Sequence, residues 1–369
     1  PRPSNIPLSF SQERLWFIDQ LEGSVQYHIP EILEITGDLN TDALISALKL
    51  IVKKHKILRT VIIQDKSDAY QEILDDTDWN VEVVDLKHQT QNKQETENVI
   101  SSFINEPFNL SKDFVFRAKL IQINETSFKL AIVVHHIAFD GWSISVIVRD
   151  LVNFYSALVK GQQPEIISDE VQYADFALWQ RKYLTRDILD KKLQYWTKKL
   201  EGITPLELPT DFARPAIQNS EGALYDFKLE QELVAGLERI NRETGTTLFM
   251  VLLAAYKVFL YRYTSQEDLS VGTAVAGRQQ KALEQMVGFF VNTLVIRSIV
   301  NPNQTFSAFL EEVKRNTLEA FENQELPFEK LVETVVKERD LSRTPLFQTM
   351  LVLQNTPEMP ELKLGKAKI

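Results

Sequence analysis

The stretch Ala131-Ile132-Val133-Val134-His135-His136-Ile137-Ala138-Phe139-Asp140-Gly141-Trp142-Ser143 sets the reading of the whole chain. The apolar, β-branched run from Phe128 to Val134 has the length of a strand. Ile144, Ile147, Val148, Leu151, Tyr155 and Leu158 then recur at helical spacing until Gly161, with Ser143 as the expected N-cap. Two histidines, a carboxylate and a glycine therefore occupy a strand-to-helix turn. Neighbouring strand residues face opposite ways, so one of His135 and His136 should be structural and the other free to act. A neutral imidazole in a partly dry cleft can take a proton from an amine or hydroxyl nucleophile, or hold charge that develops on attack at a carbonyl. A buried carboxylate such as Asp140 more often fixes a loop through an arginine than it does chemistry. The bland alternative is a solvated strand end. A metal is the weaker reading, because adjacent histidines grip one ion poorly, no cysteine exists, and His28, His55 and His88 show no ligand spacing.

With 369 residues, 44% hydrophobic and 25% charged, the chain has an ordinary globular composition and is long enough for two moderate cores, so two lobes are expected. A net charge of −10 and the lack of a Lys/Arg-rich tract argue against a nucleic-acid partner. No apolar run is expected to reach membrane-spanning length, and the first residues carry no signal-peptide pattern. The absence of cysteine excludes disulfides, a thiol nucleophile and thiolate metal sites, and it fits a cytoplasmic location. Neither end shows an obvious terminal signal, as expected of a piece of something longer.

Along the chain, Ser9 and Ser11 precede an amphipathic stripe through Leu15, Trp16 and Ile18. Glu31 to Thr36 has strand character, and Thr41-Asp42 opens a helix with Leu44, Leu48, Ile51 and Val52 on one face. That helix runs into Lys54-His55-Lys56-Ile57-Leu58-Arg59-Thr60, read by itself as a solvated basic helix end. Lys87 to Asn98 reads as a polar surface loop. Phe114 to Gln122 and Phe128 to Val134 form an expected hairpin about Asn124-Glu125-Thr126, which would bring His136 to the interior. Tyr173-Ala174-Asp175-Phe176-Ala177-Leu178-Trp179-Gln180-Arg181 spaces its aromatics as a helix does. Further on come a helix from Thr246 or Thr247 to Tyr263, a strand from Asp268 to Ala276 leaving through Gly277-Arg278, a strand from Val287 to Arg297, and a helix from Thr305 to Phe321. No internal repeat is visible.

His135 to Ser143 resembles the core motif of condensation domains of non-ribosomal peptide synthetases, which share the fold of chloramphenicol acetyltransferase. Leu8 to Leu21 resembles the family's first motif in the form typical of the subtype that accepts an L-configured donor. Leu58-Arg59-Thr60 resembles the second, although Lys54-His55-Lys56 stands for its usual Arg-His-Glu start. The Tyr173 segment, with Tyr195-Trp196 and the stretch from Pro205 to Pro215, resembles the fourth, and Val287 to Arg297 the fifth. Asn323 to Val332 resembles the sixth, with Asn323 where histidine is common, and Arg339 to Met350 matches the last. The motifs cover nearly the whole chain in the family's order.

The resemblance implies an α/β (α+β) fold of two chloramphenicol acetyltransferase-like lobes in a V-shaped pseudo-dimer, with the active site in a channel between them. Residues 1–180 would be the N-terminal lobe with the histidine motif. Residues 181–369 would be the C-terminal lobe, short of a final strand and helix that family members usually add. The implied reaction is peptide bond formation between two thioesters, each carried on the 4'-phosphopantetheine of a donor or acceptor peptidyl carrier domain. An adenylation domain would be a neighbour in a larger chain, no cofactor would be bound intrinsically, and the domain would be monomeric. His136 is expected to be catalytic, with the Gly141 amide a donor near the reacting oxygen. His135 would support the turn, Trp142 would pack, and Asp140 would pair with Arg59 or Arg297. Asn292 and Ser143 would line the substrate channel. Other readings are a superfamily acyltransferase that uses soluble acyl-coenzyme A, and a non-catalytic docking domain for carriers or tailoring enzymes.

Overall fold

The strand that ends in His135 lies inside a four-stranded sheet whose neighbours cover it on both sides. A computed structural model describes residues 2–65, 68–87, 92–166, 171–219, 222–338, 340–354 and 359–369; Arg339, the first residue of the last motif, lies outside them. Packing divides the chain into two units, Pro1–Leu184 with Arg278–Phe290 and Thr356–Ile369, and Thr185–Gly277 with Val291–Asn355. Arg278–Phe290 packs with the first unit, where Arg278 finds its partner at Asp140.

Among the described residues the first unit runs β1 (Ile6–Pro7), α1 (Phe10–Glu22), β2 (His28–Thr36), α2 (Thr41–Lys54), β3 (Thr60–Asp65), β4 (Asp68–Ile73), β5 (Glu82–Asp85), α3 (Asn92–Asn105), β6 (Phe116–Asn124), β7 (Ser127–His135), α4 (Gly141–Val159) and α5 (Tyr173–Tyr183). The larger sheet has the order β2-β7-β6-β5 and the smaller one β1-β4-β3. The expected hairpin is the antiparallel β6–β7 pair, and β2 flanks β7 with His28 opposite His135. Leu130 to Val134 are buried without alternation, which is why that run is continuously apolar: both faces of β7 are covered. Leu44, Leu48, Ile51 and Val52 on α2 share one core with Val146, Ile147 and Leu151 on α4, as the helical spacing requires.

In the first unit four expectations about single segments change. The surface loop from Lys87 to Asn98 is in its described part a helix from Asn92 onward, because Thr96 and Phe103 bury one face of α3. The basic cluster after α2 is not a solvated end: His55 Nε2 lies 2.7 Å and Lys54 Nζ 3.0 Å from the Asp150 carboxylate, which ties α2 to α4. Burial pushes the Asp150 carboxyl up, but the hydrogen bond and charge of His55, with Lys54, outweigh it and hold the group below the usual range. The N-cap of α4 is Asp140 rather than Ser143, which becomes the third residue of the helix. And α4 is, by length and composition, apolar enough to cross a membrane, contrary to the sequence reading; here Val146, Ile147, Leu151, Phe154 and Tyr155 are buried in the core.

The second unit runs α6 (Arg186–Lys199), α7 (Gln231–Thr244), α8 (Leu248–Thr264), β8 (Asp268–Val275), β9 (Asn292–Ile299), α9 (Phe306–Glu322) and α10 (Phe328–Val335), with β8 and β9 antiparallel. Its core collects Met250, Val251, Leu253 and Ala254 of α8, Leu294 to Ile296 of β9 and Phe309, Leu310 and Val313 of α9. The strand expected from Val287 begins only at Asn292, because the backbone of Gly288 and Phe290 is held by the histidine turn. Lys257 of α8 is fully buried, with Nζ donating to Ile296 O at 2.7 Å and to Ser298 Oγ at 2.8 Å. Burial lowers its ammonium to about 7 from the ordinary 10.5. The unfolded chain therefore binds more protons between those values, so stability rises with pH from about 7 to 10.5. Urea midpoints measured across that range should rise for the wild type and stay flatter for Lys257→Met.

Candidate active site

The turn after β7 is built by hydrogen bonds whose sense is fixed. His135, 0% exposed, ends β7 and caps the 3-10 turn His136–Ala138: the Ile137 amide donates to its Nδ1 at 3.0 Å. A backbone amide can only donate, so Nδ1 is the lone-pair nitrogen and the ring proton sits on Nε2, 2.9 Å from Ser24 Oγ. Burial, with smaller repulsion from His28, His136 and Arg117, pushes His135 down to about 3 and keeps it neutral. His136 is half-buried and faces differently. Its Nδ1 lies 2.6 Å from Phe139 O, and a carbonyl can only accept, so Nδ1 carries the proton and Nε2 the lone pair. Nε2 has no hydrogen-bond partner among the described residues, and the ring packs at 4.6 Å between centroids on Phe289.

Asp140 is the anchor of the turn. It is 0% exposed; Oδ1 accepts from the Ser143 amide at 2.9 Å, from Ser143 Oγ at 2.7 Å and from Arg278 at 2.9 Å, and Oδ2 accepts from the Phe290 amide at 3.2 Å. Arg278 also donates to Leu283 O and, at 2.6 Å, to Met286 O, and its guanidinium stacks 4.1 Å from the Phe290 ring centroid. Burial lowers the guanidinium from its ordinary value, and Asp140 opposes that. Neither expected arginine fills this role. Arg59 donates to Leu74 O beside β4, where its own carbonyl accepts from the Leu74 amide. Arg297, on β9, makes a two-pronged pair with Asp268 at 2.8 and 2.7 Å. Both stand in motifs, whereas Arg278 follows a strand end 138 residues from Asp140 and has no motif around it.

The remaining residues also find their places. Ser143 is sealed in the Asp140 network, so it does not line a surface open to substrate. Gly288 sits there because a Cβ would come 2.1 Å from the Tyr173 ring, whose hydroxyl donates to Phe289 O at 2.6 Å. Trp142 packs and donates to Glu284 O at 2.9 Å. Gly141 is exposed, and a Cβ there would meet nothing within 4 Å. In the second unit, Asn292, expected to line the channel, spends its amide on the main chain: it donates to Gln324 O and Leu326 O at 2.7 Å each and accepts from the Phe328 amide at 3.1 Å. Asn323 takes up a helix-end role, donating to Glu319 O at 2.9 Å while its carbonyl accepts from Trp196 Nε1 at 3.1 Å. Among the described residues no group of three or more His, Cys, Asp or Glu is arranged to hold a metal ion.

The Condensation domain family model matches residues 3–367, and the chain belongs to that family. Domains of this family form amide bonds, an acyl-transfer reaction. The chain is 42% identical over 360 residues to a linear gramicidin synthase polypeptide of Brevibacillus parabrevis, covering 96% of this chain and 7% of that one. It is 39% identical over 354 residues to gramicidin S synthase 2 of Brevibacillus brevis, covering 95% and 8%. The chain thus spans a small part of these relatives. Among solved structures it is similar to the X-domain from teicoplanin biosynthesis (TM-score 0.83, 28% identity, 95% and 78% covered). The four-domain nonribosomal peptide synthetase AB3403 shares the fold (TM-score 0.82, 24% identity, 97% and 27% covered).

The Asp140–Arg278 pair is dry on both sides, so removing one partner strands the other. Arg278→Met and Asp140→Leu should each lower stability by about 3–5 kcal/mol, and the double variant should lose less than the sum. Urea unfolding of the four proteins measures this.

Proposed function

We propose that His136 is the residue at which an acceptor amine meets a donor thioester, and that His135, Asp140 and Arg278 build the turn that presents it. The observation that carries this reading is the bare Nε2 of His136, left by the donation from Nδ1 to Phe139 O. The amine nitrogen attacks the thioester carbonyl, the N–C bond forms, the C–S bond breaks, and the amine proton passes to the departing thiolate. Nε2 is the base that holds this proton between the two steps. A thioester is already activated, so alignment supplies a large share of the acceleration, about 7–11 kcal/mol in well-oriented cases.

Gly141 supports the same reading. It opens α4 with ordinary backbone, so neither strain nor packing asks for glycine there, and its open side leaves room for a thioester close to the helix N-terminus. The substrates are aminoacyl or peptidyl groups on the phosphopantetheine of donor and acceptor carrier domains, within a longer chain with an adenylation domain; the large synthases among the relatives support these partners. The donor is L-configured, in keeping with the Ser11-Gln12-Glu13-Arg14-Leu15-Trp16 form of the first motif, in which Ser9 and Gln12 make a capping box for α1. A docking role is the alternative, since the X-domain is known in complex with OxyB.

His136→Ala should remain folded and form little dipeptide from two loaded carriers, read by mass spectrometry of the acceptor carrier. A wild-type rate would overturn the assignment and favour docking. Gly141→Ala should raise thermal stability slightly, by up to about 1 kcal/mol from helix propensity, while condensation slows; equal activity would remove Gly141 from the site.

A further inference from the structure

We infer that Ser24 and Asp19 are positioning residues for His136, acting through the tautomer of His135. This rests on the reading above for its kinetic consequence, but its structural part is independent of it. Asp19 lies in the last turns of α1 and Ser24 in the loop after it, and neither stands near the histidine turn in sequence. Ser24 is buried and its Oγ donates to Asp19 Oδ1. The same Oγ is 2.9 Å from His135 Nε2, and His135 Nδ1 accepts from the Ile137 amide.

The sense of every bond in this row follows from its two ends. An ionised carboxylate only accepts, so the Ser24 proton points at Asp19 and the Ser24 lone pairs face His135. A backbone amide only donates, so Nδ1 must accept and Nε2 must carry the proton, which Ser24 then receives. The two ends agree. If Asp19 were absent, the Ser24 hydroxyl could turn and donate to Nε2, which favours the tautomer with a proton on Nδ1. That proton would face the Ile137 N–H, donor against donor, and the cap of the His136 turn would open.

The surroundings leave His135 few other supports. Its ring lies among the rings of His28, at 6.0 Å between centroids, and Phe108, at 5.8 Å. The Arg117 guanidinium stacks on Phe108 at 3.7 Å. These contacts hold the ring plane, but none is a hydrogen bond that distinguishes the two nitrogens. Gly23 makes the approach of Ser24 feasible, since its positive φ of 76° turns the chain out of α1 while its amide donates to Asp19 O.

The test uses Asp19→Ala, Asp19→Asn and Ser24→Ala in the same chain, with histidine ring nitrogens observed by long-range proton–nitrogen correlation. In the wild type His135 should show a protonated Nε2 and a lone pair on Nδ1. Asp19→Ala should shift His135 toward the other tautomer and lower kcat for condensation by about tenfold, within the roughly hundredfold that a 1 Å misplacement of a reacting group can cost, with KM for the loaded carriers unchanged; Ser24→Ala, which leaves no hydroxyl to donate to Nε2, should keep the wild-type tautomer. Asp19→Asn keeps an oxygen acceptor for Ser24 and should restore both. Asp19 is partly exposed, so its variants should fold even if Ser24→Ala does not. A wild-type His135 with its proton on Nδ1, or an Asp19→Ala protein with unchanged tautomer and kcat, would overturn the inference. If the wild type forms no dipeptide, the condensation reading fails, while the tautomer alone still decides the relay.

Discussion

The Asp140 carboxylate is the constraint on which the site depends. Taking a carboxylate fully out of water carries a large penalty unless every lone pair finds a donor. Here four donors converge: two from Ser143, one from Arg278 and one from the Phe290 amide. The same oxygen that caps α4 therefore also ties the helix start to a segment far along the chain. This is why Arg278–Phe290 packs as part of the first unit although its neighbours in sequence belong to the second. A pair of this kind adds little to stability beyond what apolar residues of the same volume would give. Its value lies in selecting one arrangement, because a wrong register strands a charge in the dry interior.

That fixed arrangement lets two adjacent imidazoles do different things. His135 is neutral, sealed and fully hydrogen-bonded, and it works as a cap for the turn that follows. His136, one residue later, has left the strand geometry and lends its Nδ1 proton to Phe139 O. What distinguishes them is which ring nitrogen faces an obligate donor and which faces an obligate acceptor. The chemistry follows from main-chain geometry more than from the side chains themselves. Phe289 against the His136 ring and Tyr173 against Gly288 and Phe289 extend the same scaffold outward, each through a close contact that a different residue would disrupt.

Much of the fold is readable from local signals because they agree with the tertiary roles. The run through Val134 reads as a strand and is one; the stripe on α2 and the spacing from Ile144 to Leu158 are core faces. The misreadings share a cause. Residues after Lys87 look like a loop because α3 buries only part of one face and is otherwise polar. Ser143 looks like a cap because serine often is one, yet Asp140, three residues earlier, has the β-region backbone and the acceptor oxygen that capping needs. Val287 to Arg297 alternates like one strand, but the amides of Gly288 and Phe290 answer to Ser143 and Asp140 rather than to a neighbouring strand.

Residue order was enough for the family, for the strand–turn–helix that carries the histidines, and for the expectation that one imidazole would be structural and the other free. These rest on short-range spacing, which a linear chain displays directly. Folding in three dimensions selected Arg278, not Arg59 or Arg297, as the partner of Asp140, brought Ser24 and Asp19 to His135, and bound Asn292 into a turn. Those partners lie tens to more than a hundred residues apart. Nothing in the local pattern around an arginine or a serine records which distant carboxylate or imidazole the fold will set beside it.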